Sequence, residues 1–474
     1  MKLKKSDSIS PAQPKQLEIY ITIALVVLSF VIRVIRLDIP HDWSFDEVYH
    51  ALSAEAYALN DPRGYEWFNP SPKDLAYEWL HPPIGKLLMA ASIKLFAKPY
   101  IPESKAQPLD GRTTFAWRFP GTIFAALTVW LLIIFGKKLF DEFWIGAVAG
   151  GLYALDGLSF VQSRTGMNDI FITFFVVLAF YWLYIFLTQY PKKNLQNLLW
   201  LGIATGLAAS TKWTGFYAVG IAFILSIVFI LKKRNWKLLL AGIFCLLIIP
   251  IVVYFLSYGQ WWLQGHTWSQ FVELHKQIWW YQTGLKATHG YQSYALTWPF
   301  LYRPVWFYVK YQDVIENGQK VLYIGNIYTM GNPIIWWAGL VGIVYAISRF
   351  LRSIIVSITN KSFQIKFLFT SLLQKDQLLP LAIVLVGYFG MFLPWALSPR
   401  IMFLYHYLPS VPFLCLALAY GLYRLKSWHK IGLYLTTAYL TLVVLVFIYF
   451  YPHWSALPLP QSWVNGYYWL PSWK

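Results

Sequence analysis

This sequence has few charged residues for its length. Of its 474 residues, 13% are charged and 58% are hydrophobic. Soluble domains carry about 25% charged residues, so the composition excludes an ordinary soluble protein. Several windows of about 20 residues have almost no charge, and each is long enough to cross a bilayer as a helix. The sequence therefore predicts an all-α polytopic membrane protein.

Cysteine and acidic residues are also scarce. The two cysteines, Cys245 and Cys415, both lie in apolar segments, which excludes a disulfide-rich scaffold and indicates small buried hydrophobes. There are 21 acidic against 39 basic residues, a net charge of +18. The basic residues are scattered through an apolar background, so we exclude a nucleic-acid partner and attribute the excess to the positive-inside bias of membrane proteins.

The apolar segments predict about eleven spans, the first of them retained because no small-residue cleavage site follows it. The predicted spans are 17–36, 116–136, 143–163, 168–189, 197–211, 213–231, 236–257, 334–350, 378–397, 401–422 and 430–451.

Lysine and arginine are densest in the short loops, which we therefore assign to the cytoplasm together with the N-terminus. The chain should lie in the plasma membrane and carry its active site on the outer face. The predicted parts are a cytoplasmic tail 1–16, a catalytic module 17–257, an outer aromatic loop 258–333, a second membrane module 334–451 and an outer tail 452–474.

Two long outer loops, 37–115 and 258–333, are rich in Trp, Tyr, His and Pro. An interfacial aromatic belt explains many of these residues, and the excess indicates a groove for a sugar or a lipid head group. Segments 84–97 and 265–281 mix apolar and polar residues at helical spacing. We expect amphipathic helices on the outer surface there, with Lys86 reaching for head groups.

Two adjacent acids, Asp46 and Glu47, follow the first span. Neighbours on a helix diverge by about 100°, so the two carboxylates should have different roles. One can be a general base and the other can orient a neighbour, although both could also be ordinary solvated loop acids. His41 and His50 lie close in sequence, and Glu47 and His50 have the spacing of helical metal ligands, so a metal site is a weaker alternative.

Other charged residues cluster near the predicted outer ends of the spans, and they suit a substrate with an anionic head and an apolar tail, such as a polyprenyl phosphate sugar. Each also has a plain structural alternative: a snorkelling arginine, a salt-bridged turn between Arg164 and Asp169, or a hydrogen-bonded histidine. The candidates for binding the donor phosphate or sugar are His81, Lys86, Arg118, Arg164, Asp169, Arg303, Arg400 and His406.

A series of short motifs resembles bacterial members of the protein O-mannosyltransferase family, within the GT-C superfamily of glycosyltransferases. The motifs follow the order of the family and span nearly the whole chain. They are Phe45–Tyr49, His81–Lys86, Trp117–Gly121, Arg164–Asp169, His289–Ser293, Arg303–Val305, Gly331–Trp337 and Arg400–Pro409.

The resemblance implies a GT-C fold of eleven spans and a polyprenyl phosphate mannose donor. The acceptors would be Ser or Thr hydroxyls of exported proteins, met at the secretion translocon. It implies Asp46 as the catalytic base, Glu47 as its support, and a need for Arg118. Displacement would be single and inverting. The lipid phosphate is a good leaving group, so we expect no required cofactor and no divalent metal.

Two alternatives stay open at this stage. The first is a transferase of the same superfamily that moves another sugar, such as aminoarabinose, to lipid A or a cell-envelope glycan. The second, more remote, is a lipid or solute transporter. Transporters place ionisable residues at mid-membrane, often in repeated halves, whereas here the charges gather at the ends of spans.

Overall fold

Long apolar helices form most of the fold. The computed structural model describes residues 12–359 and 378–474. Its helices are α1 Ala12–Val34, α2 Glu47–Leu59, α3 Ile84–Phe96, α4 Gly111–Phe140, α5 Phe143–Ala154, α6 Gly157–Ser163, α7 Asp169–Gln189, α8 Asn194–Ala209, α9 Gly215–Lys232, α10 Trp236–Ile243, α11 Ile249–Ser257, α12 Gly259–Leu263, α13 Trp268–Gly284, α14 Pro333–Thr359, α15 Leu378–Phe392, α16 Val411–Lys426, α17 Lys430–Trp454 and α18 Gln461–Asn465.

The polytopic prediction is confirmed. Within the described residues, nine helices are long and apolar enough to span a membrane, or ten if the pair α5 and α6, bent by 62°, is one span. Helices α10 and α11 count as a single span, since a π-helical turn joins them. The remaining predicted segment, 197–211, forms α8, which has 16 residues. Because a helix needs about 20 residues to cross a bilayer core, α8 is short for a span.

The bend between α5 and α6 is fastened by one buried acid, Asp156. Its side chain caps α6, because Oδ2 accepts a hydrogen bond from the backbone N–H of Ser159 at 3.0 Å. Its Oδ1 accepts from the backbone N–H of Asn332 at 3.0 Å and from Nε1 of Trp336 at 2.7 Å. This carboxylate therefore ties the bent pair to the beginning of α14, far along the chain.

A buried arginine ties the first helix to the same bend. Arg33 of α1 is 0% exposed. It donates to the hydroxyl of Ser163 at 3.0 Å, to the carbonyl of Ala154 at 3.0 Å and to the hydroxyl of Ser159 at 2.9 Å. A charge away from water needs such partners, so α1 and the bent pair hold each other in place.

The fold is mostly helical, as predicted, and the second outer loop adds a small sheet that was not predicted. Residues Val305–Glu316 and Gln319–Thr329 form an antiparallel hairpin, β1 and β2, and a short strand, β3 at Leu459–Pro460, pairs with β2. Asn317 and Gly318 form the turn and both have positive φ. Asn-Gly between two runs of β-branched and aromatic residues is a strong hairpin signal. The prediction that the aromatic residues of this loop form a groove did not use that signal.

Both predicted loop helices are present, as α3 and α13. The expected position of Lys86 is wrong, however, because this α3 residue is 0% exposed and cannot reach lipid head groups. The predicted tail 1–16 lies partly outside the described residues, and its last residues belong to α1. The division of the chain into modules stays a prediction.

We expect Asp156→Ala to lower the stability of the protein. The substitution leaves three N–H donors without an acceptor, and each unsatisfied buried group costs about 1–3 kcal/mol. Thermal unfolding in detergent should show a clearly lower Tm. Asp110→Ala is the matched control, since Asp110 is exposed and its side chain makes no capping hydrogen bond. Equal Tm values for the two variants would contradict the role of Asp156.

Candidate active site

The two adjacent acids separate at the beginning of α2. Phe45 has a left-handed backbone, with φ 49°. Asp46 follows as the N-cap residue, and its carbonyl oxygen accepts hydrogen bonds from the backbone of Tyr49 and His50, both at 3.0 Å. Asp46 stays half-buried, whereas Glu47 is 0% exposed. The two acids therefore lie in different environments, as the sequence predicts.

Glu47 forms a buried, two-pronged ion pair with Arg118 of α4. Its Oε1 and Oε2 accept from Nε and Nη2 of Arg118, each at 2.8 Å. Oε1 also accepts from Nε1 of Trp117 at 3.1 Å and from the backbone of Gly166 at 2.9 Å. The backbone of Ser44 donates to Oε2 at 2.8 Å. With its oxygens so occupied, Glu47 is a positioning residue.

The remaining N–H groups of Arg118 organise the loop that leads to Asp46. They donate to backbone carbonyl oxygens, namely those of Leu37, Asp38, Pro40 and Asp42 at 2.9–3.2 Å. An arginine has five N–H donors, and here protein acceptors take all of them. The predicted phosphate clamp at Arg118 is therefore corrected: this side chain shapes the site and has no donor left for a substrate.

Asp46 is the carboxylate that remains available for chemistry. Its Oδ2 accepts a long hydrogen bond, 3.4 Å, from the hydroxyl of Tyr405. Burial raises the pKa of Asp46 to about 6, although the nearby charges of His50 and Lys212 oppose that rise. A carboxylate with a pKa near neutrality suits a general base.

A second buried carboxylate, Glu78, lies beside Asp46 and was missed in the sequence. Lys86 donates to its Oε2 at 2.6 Å, and Nδ1 of His50 lies 3.6 Å from the same oxygen. Burial alone would raise the pKa of Glu78, but Lys86, His81 and His50 outweigh it and hold the pKa well below its usual range. Two predicted residues, Lys86 and His81, therefore belong to the site because both contact Glu78, an acid that no motif indicated.

A third buried pair joins Asp169 to Lys212. The Nζ atom of Lys212 lies 2.9 and 3.1 Å from the two carboxylate oxygens, and both residues are buried. Nζ also lies 5.7 Å from the centre of the Tyr405 ring. The alternative of a salt-bridged turn between Arg164 and Asp169 is therefore excluded, because Asp169 pairs with Lys212. Lys212 was missed, although a lysine between two apolar helices is itself a functional signal.

Two predicted arginines lie away from this cluster. Arg164 donates to the carbonyl oxygens of Ile35 at 2.7 Å and Arg36 at 2.9 Å, so it caps the end of the first helix. Arg303 donates to the carbonyl oxygen of Ser472 at 2.8 Å and ties the outer loop to the last described residues. The structure gives both side chains protein partners and does not place them beside Asp46.

Arg400 and His406 lie against two tyrosines, Arg400 over the ring of Tyr281 and His406 against the ring of Tyr405. Nη1 of Arg400 donates to Gln282 at 2.6 Å, while its buried Nε has no hydrogen-bond partner. Burial raises the pKa of Tyr281, with Arg400 opposing the rise and Asp46 adding to it. The guanidinium carbon of Arg400 lies 5.9 Å from the centre of the Tyr281 ring. His406 is buried, and its Nδ1 lies 2.9 Å from the carbonyl oxygen of Phe403.

His81 has a polar atom without a protein partner. Its ring stacks on that of His50, with centroids 5.9 Å apart, and its Nδ1 is buried and unpartnered. Burial lowers the pKa of His81 well below its usual range, with Glu78 opposing this effect and the charges of Lys212 and Arg400 adding to it. A neutral His81 facing these cations is suited to hydrogen-bond a sugar hydroxyl.

The three metal candidates do not converge. His41 is exposed and pairs with Asp38 at 2.8 Å, Glu47 is occupied by Arg118, and His50 faces Glu78. Among residues 12–359 and 378–474, no group of three or more His, Cys, Asp or Glu side chains is arranged to hold a metal ion.

Long apolar helices around a half-buried acid, Asp46, and its neighbouring buried ion pairs form a membrane fold of the GT-C glycosyltransferase type. The fold is similar to solved structures of that type. The yeast Pmt1–Pmt2 complex bound to the sugar donor matches with a TM-score of 0.76 at 17% identity, covering 99% of this chain and 93% of that one. ArnT from Cupriavidus metallidurans in the apo state matches with a TM-score of 0.52 at 14% identity, over 86% and 61%.

The chain belongs to the protein O-mannosyltransferase family and is a glycosyltransferase. Residues 23–259 match the family model of dolichyl-phosphate-mannose-protein mannosyltransferase, and residues 267–473 match that of its C-terminal four-span region. The polyprenol-phosphate-mannose–protein mannosyltransferase of Mycobacterium tuberculosis is 27% identical over 460 residues, covering 83% of this chain and 81% of that protein. These matches confirm the resemblance and favour it over transfer of another sugar.

The two adjacent acids should respond differently to removal of their charge. We expect Asp46→Asn to fold with an unchanged Tm and to lose sugar transfer by about 100-fold or more, the usual contribution of a general base. Glu47→Gln strands the buried Arg118, and breaking a buried pair costs about 3–5 kcal/mol. Its Tm in detergent should therefore fall. If Asp46→Asn lowered the Tm and Glu47→Gln abolished transfer at an unchanged Tm, Glu47 would be the base and Asp46 the positioning residue.

The pH dependence of transfer should follow the ionisation of Asp46. A base must be deprotonated to accept a proton, so the rate should be low at acidic pH and rise through about 6, the raised pKa of Asp46. The measurement is the initial rate against pH with saturating donor. A rate that stays constant between about pH 5 and pH 7, one unit either side of that pKa, would show that Asp46 is not the titrating base.

Proposed function

We propose that this protein transfers mannose from polyprenyl phosphate mannose to Ser or Thr hydroxyls of exported proteins. Family membership supports the reaction class. The observation that carries the proposal is Asp46, the one member of the pair Asp46 and Glu47 whose carboxylate is not consumed by an arginine. It lies half-buried and accepts a hydrogen bond from Tyr405, whose ring centre is 5.7 Å from Nζ of Lys212.

In the proposed step, the acceptor oxygen attacks the anomeric carbon of the sugar while Asp46 takes the hydroxyl proton. The bond between that carbon and the phosphate oxygen breaks as the new glycosidic bond forms. The configuration therefore inverts, and polyprenyl phosphate leaves as an anion. Because this leaving group needs no proton, one base is sufficient.

We assign the leaving phosphate to Lys212 and Arg400. Two contacts to Asp169 leave Lys212 with one further N–H group, and Nε of Arg400 has no protein partner. These two cations replace Arg118, Arg164 and Arg303, whose contacts are structural. A phosphate between a lysine and an arginine is stabilised by charge-assisted hydrogen bonds.

The proposal extends to the cellular setting. The density of Lys and Arg in the short loops supports a cytoplasmic N-terminus and a site on the outer face of the plasma membrane. Acceptors would then be met unfolded, beside the secretion translocon. Lys212, Arg400 and Asp46 supply both charge stabilisation and a base, so the reaction should require neither metal nor cofactor.

The test is an assay with purified protein, labelled polyprenyl phosphate mannose and a Ser/Thr-rich peptide, run in EDTA. The expected result is labelled peptide from the wild type and none from Asp46→Asn. A wild-type protein that leaves the peptide unlabelled, but labels lipid A or a glycan when these are added in its place, would overturn the proposal. Transfer that appears only when a divalent metal is added would overturn its metal-independent form.

Arg400→Ala should weaken use of the donor while leaving the fold intact. The variant removes a phosphate partner and a single protein hydrogen bond, to Gln282. We expect KM for the donor to rise about tenfold, equivalent to about 1.4 kcal/mol, with KM for the peptide unchanged. Arg303→Ala is the matched control, and its donor KM should stay at the wild-type value. Equal donor KM values for the two variants would remove Arg400 from the phosphate site.

A further inference from the structure

Strand β1 lies at the edge of the outer sheet. The sheet has the order β1-β2-β3, so β1 pairs with β2 on one side only. No other strand pairs with it among the described residues. In an antiparallel ladder, backbone groups point alternately to the two sides. About half of the N–H and C=O groups of β1 therefore face the free side.

The inner end of this free edge already takes one backbone hydrogen bond from the loop that carries the base. The N–H of Phe45 donates to the carbonyl oxygen of Phe307 at 2.9 Å. Phe307 lies at a bulge in β1, and its ring stacks on that of Phe45 with centroids 4.4 Å apart. Asp46 is the next residue, so the edge begins directly beside the catalytic carboxylate.

From there the edge runs outward without cover. Most side chains from residue 310 to residue 316 are exposed, among them Tyr311 at 56% and Ile315 at 74%. Nine further residues, 308 to 316, extend about 30 Å at about 3.3 Å per residue. The exposed part mixes apolar side chains with Lys310, Asp313 and Glu316. An open edge strand of this length can pair with other extended chains.

We propose that the free edge of β1 binds the acceptor polypeptide as an added β-strand and delivers its hydroxyl to Asp46. This inference rests on the proposed function, which makes an unfolded protein the acceptor. Strand addition takes its affinity from main-chain hydrogen bonds and so tolerates varied sequences. Lipid cannot supply such directional partners. The continuity of the edge with Phe45 and Asp46 favours the acceptor over a second copy of this chain.

The first experiment compares acceptor peptides of different length on two forms of the full-length protein. One form is wild type. In the other, the hairpin is shortened by joining Gln312 to its partner Tyr323 through Asn-Gly, which removes the outer part of the edge and keeps Phe307 and the pairing of β2 with β3. The peptides carry one Thr and have about three or about twelve residues, the longer one able to cover the edge.

We expect wild type to use the long peptide with a KM at least about tenfold below that of the short one, the effect of a few main-chain hydrogen bonds. The shortened form should use the long peptide with a KM several-fold above that of wild type, at an unchanged kcat and donor KM, because only residues 308 to 312 of the edge remain. Lys320→Ala, which breaks the pair with Asp313 at 3.1 Å but keeps the strand, is the matched control. It should behave as wild type.

The second experiment uses long peptides N-methylated at every other residue, in either register. One register removes the N–H groups that face β1 and should raise KM, while the other should not. Equal KM values for both registers and the parent peptide would overturn the proposal. The proposal would also be overturned if shortening the hairpin changed the oligomeric state and left the KM of the long peptide at the wild-type value. If wild type modifies neither the short nor the long peptide, the proposed function itself has failed.

Discussion

The candidate site depends on one buried ion pair, Glu47 with Arg118. The carboxylate gathers Trp117 and the backbone of Ser44 and Gly166, while the guanidinium gathers four carbonyl oxygens of the loop that precedes α2. Two charges away from water are stable only when such partners satisfy them. The pair therefore fixes a loop that has little regular structure of its own, and the position of Asp46 follows from it.

Adjacency in sequence gives the two acids opposite electrostatic conditions. Glu47 meets a full guanidinium fork, whereas Asp46 meets a distant phenol and shares its surroundings with the carboxylates of Asp169 and Glu78. Burial and these acids raise the pKa of Asp46, and His50 and Lys212 moderate the rise. Asp46, whose pKa is raised, thus lies next to Glu47, whose charge is compensated by Arg118. Glu47 holds the loop in position, and the carboxylate of Asp46 stays free to react.

The sequence predicts the membrane helices and the different environments of Asp46 and Glu47 well, because hydropathy and a motif are local properties. It does less well on the choice of partners. Nothing local reveals that Lys86 pairs with Glu78 or that Asp169 pairs with Lys212, since these contacts join residues from separate helices and loops. The motif around Arg118 correctly marks it as a site residue. Its predicted role as a phosphate clamp is wrong because its partners, Glu47 and the loop before α2, cannot be read from the motif. The hairpin, by contrast, carried a local Asn-Gly signal that could have been used.

Asp156 has a consequence for how the protein is made. Its partners Asn332 and Trp336 lie 176 and 180 residues later in the chain. During synthesis the bend at Asp156 enters the bilayer long before those partners exist, leaving one oxygen of the carboxylate without its final hydrogen bonds. The contacts of Asp156 are therefore complete only once α14 has been synthesised, so the bend between α5 and α6 reaches its final form late.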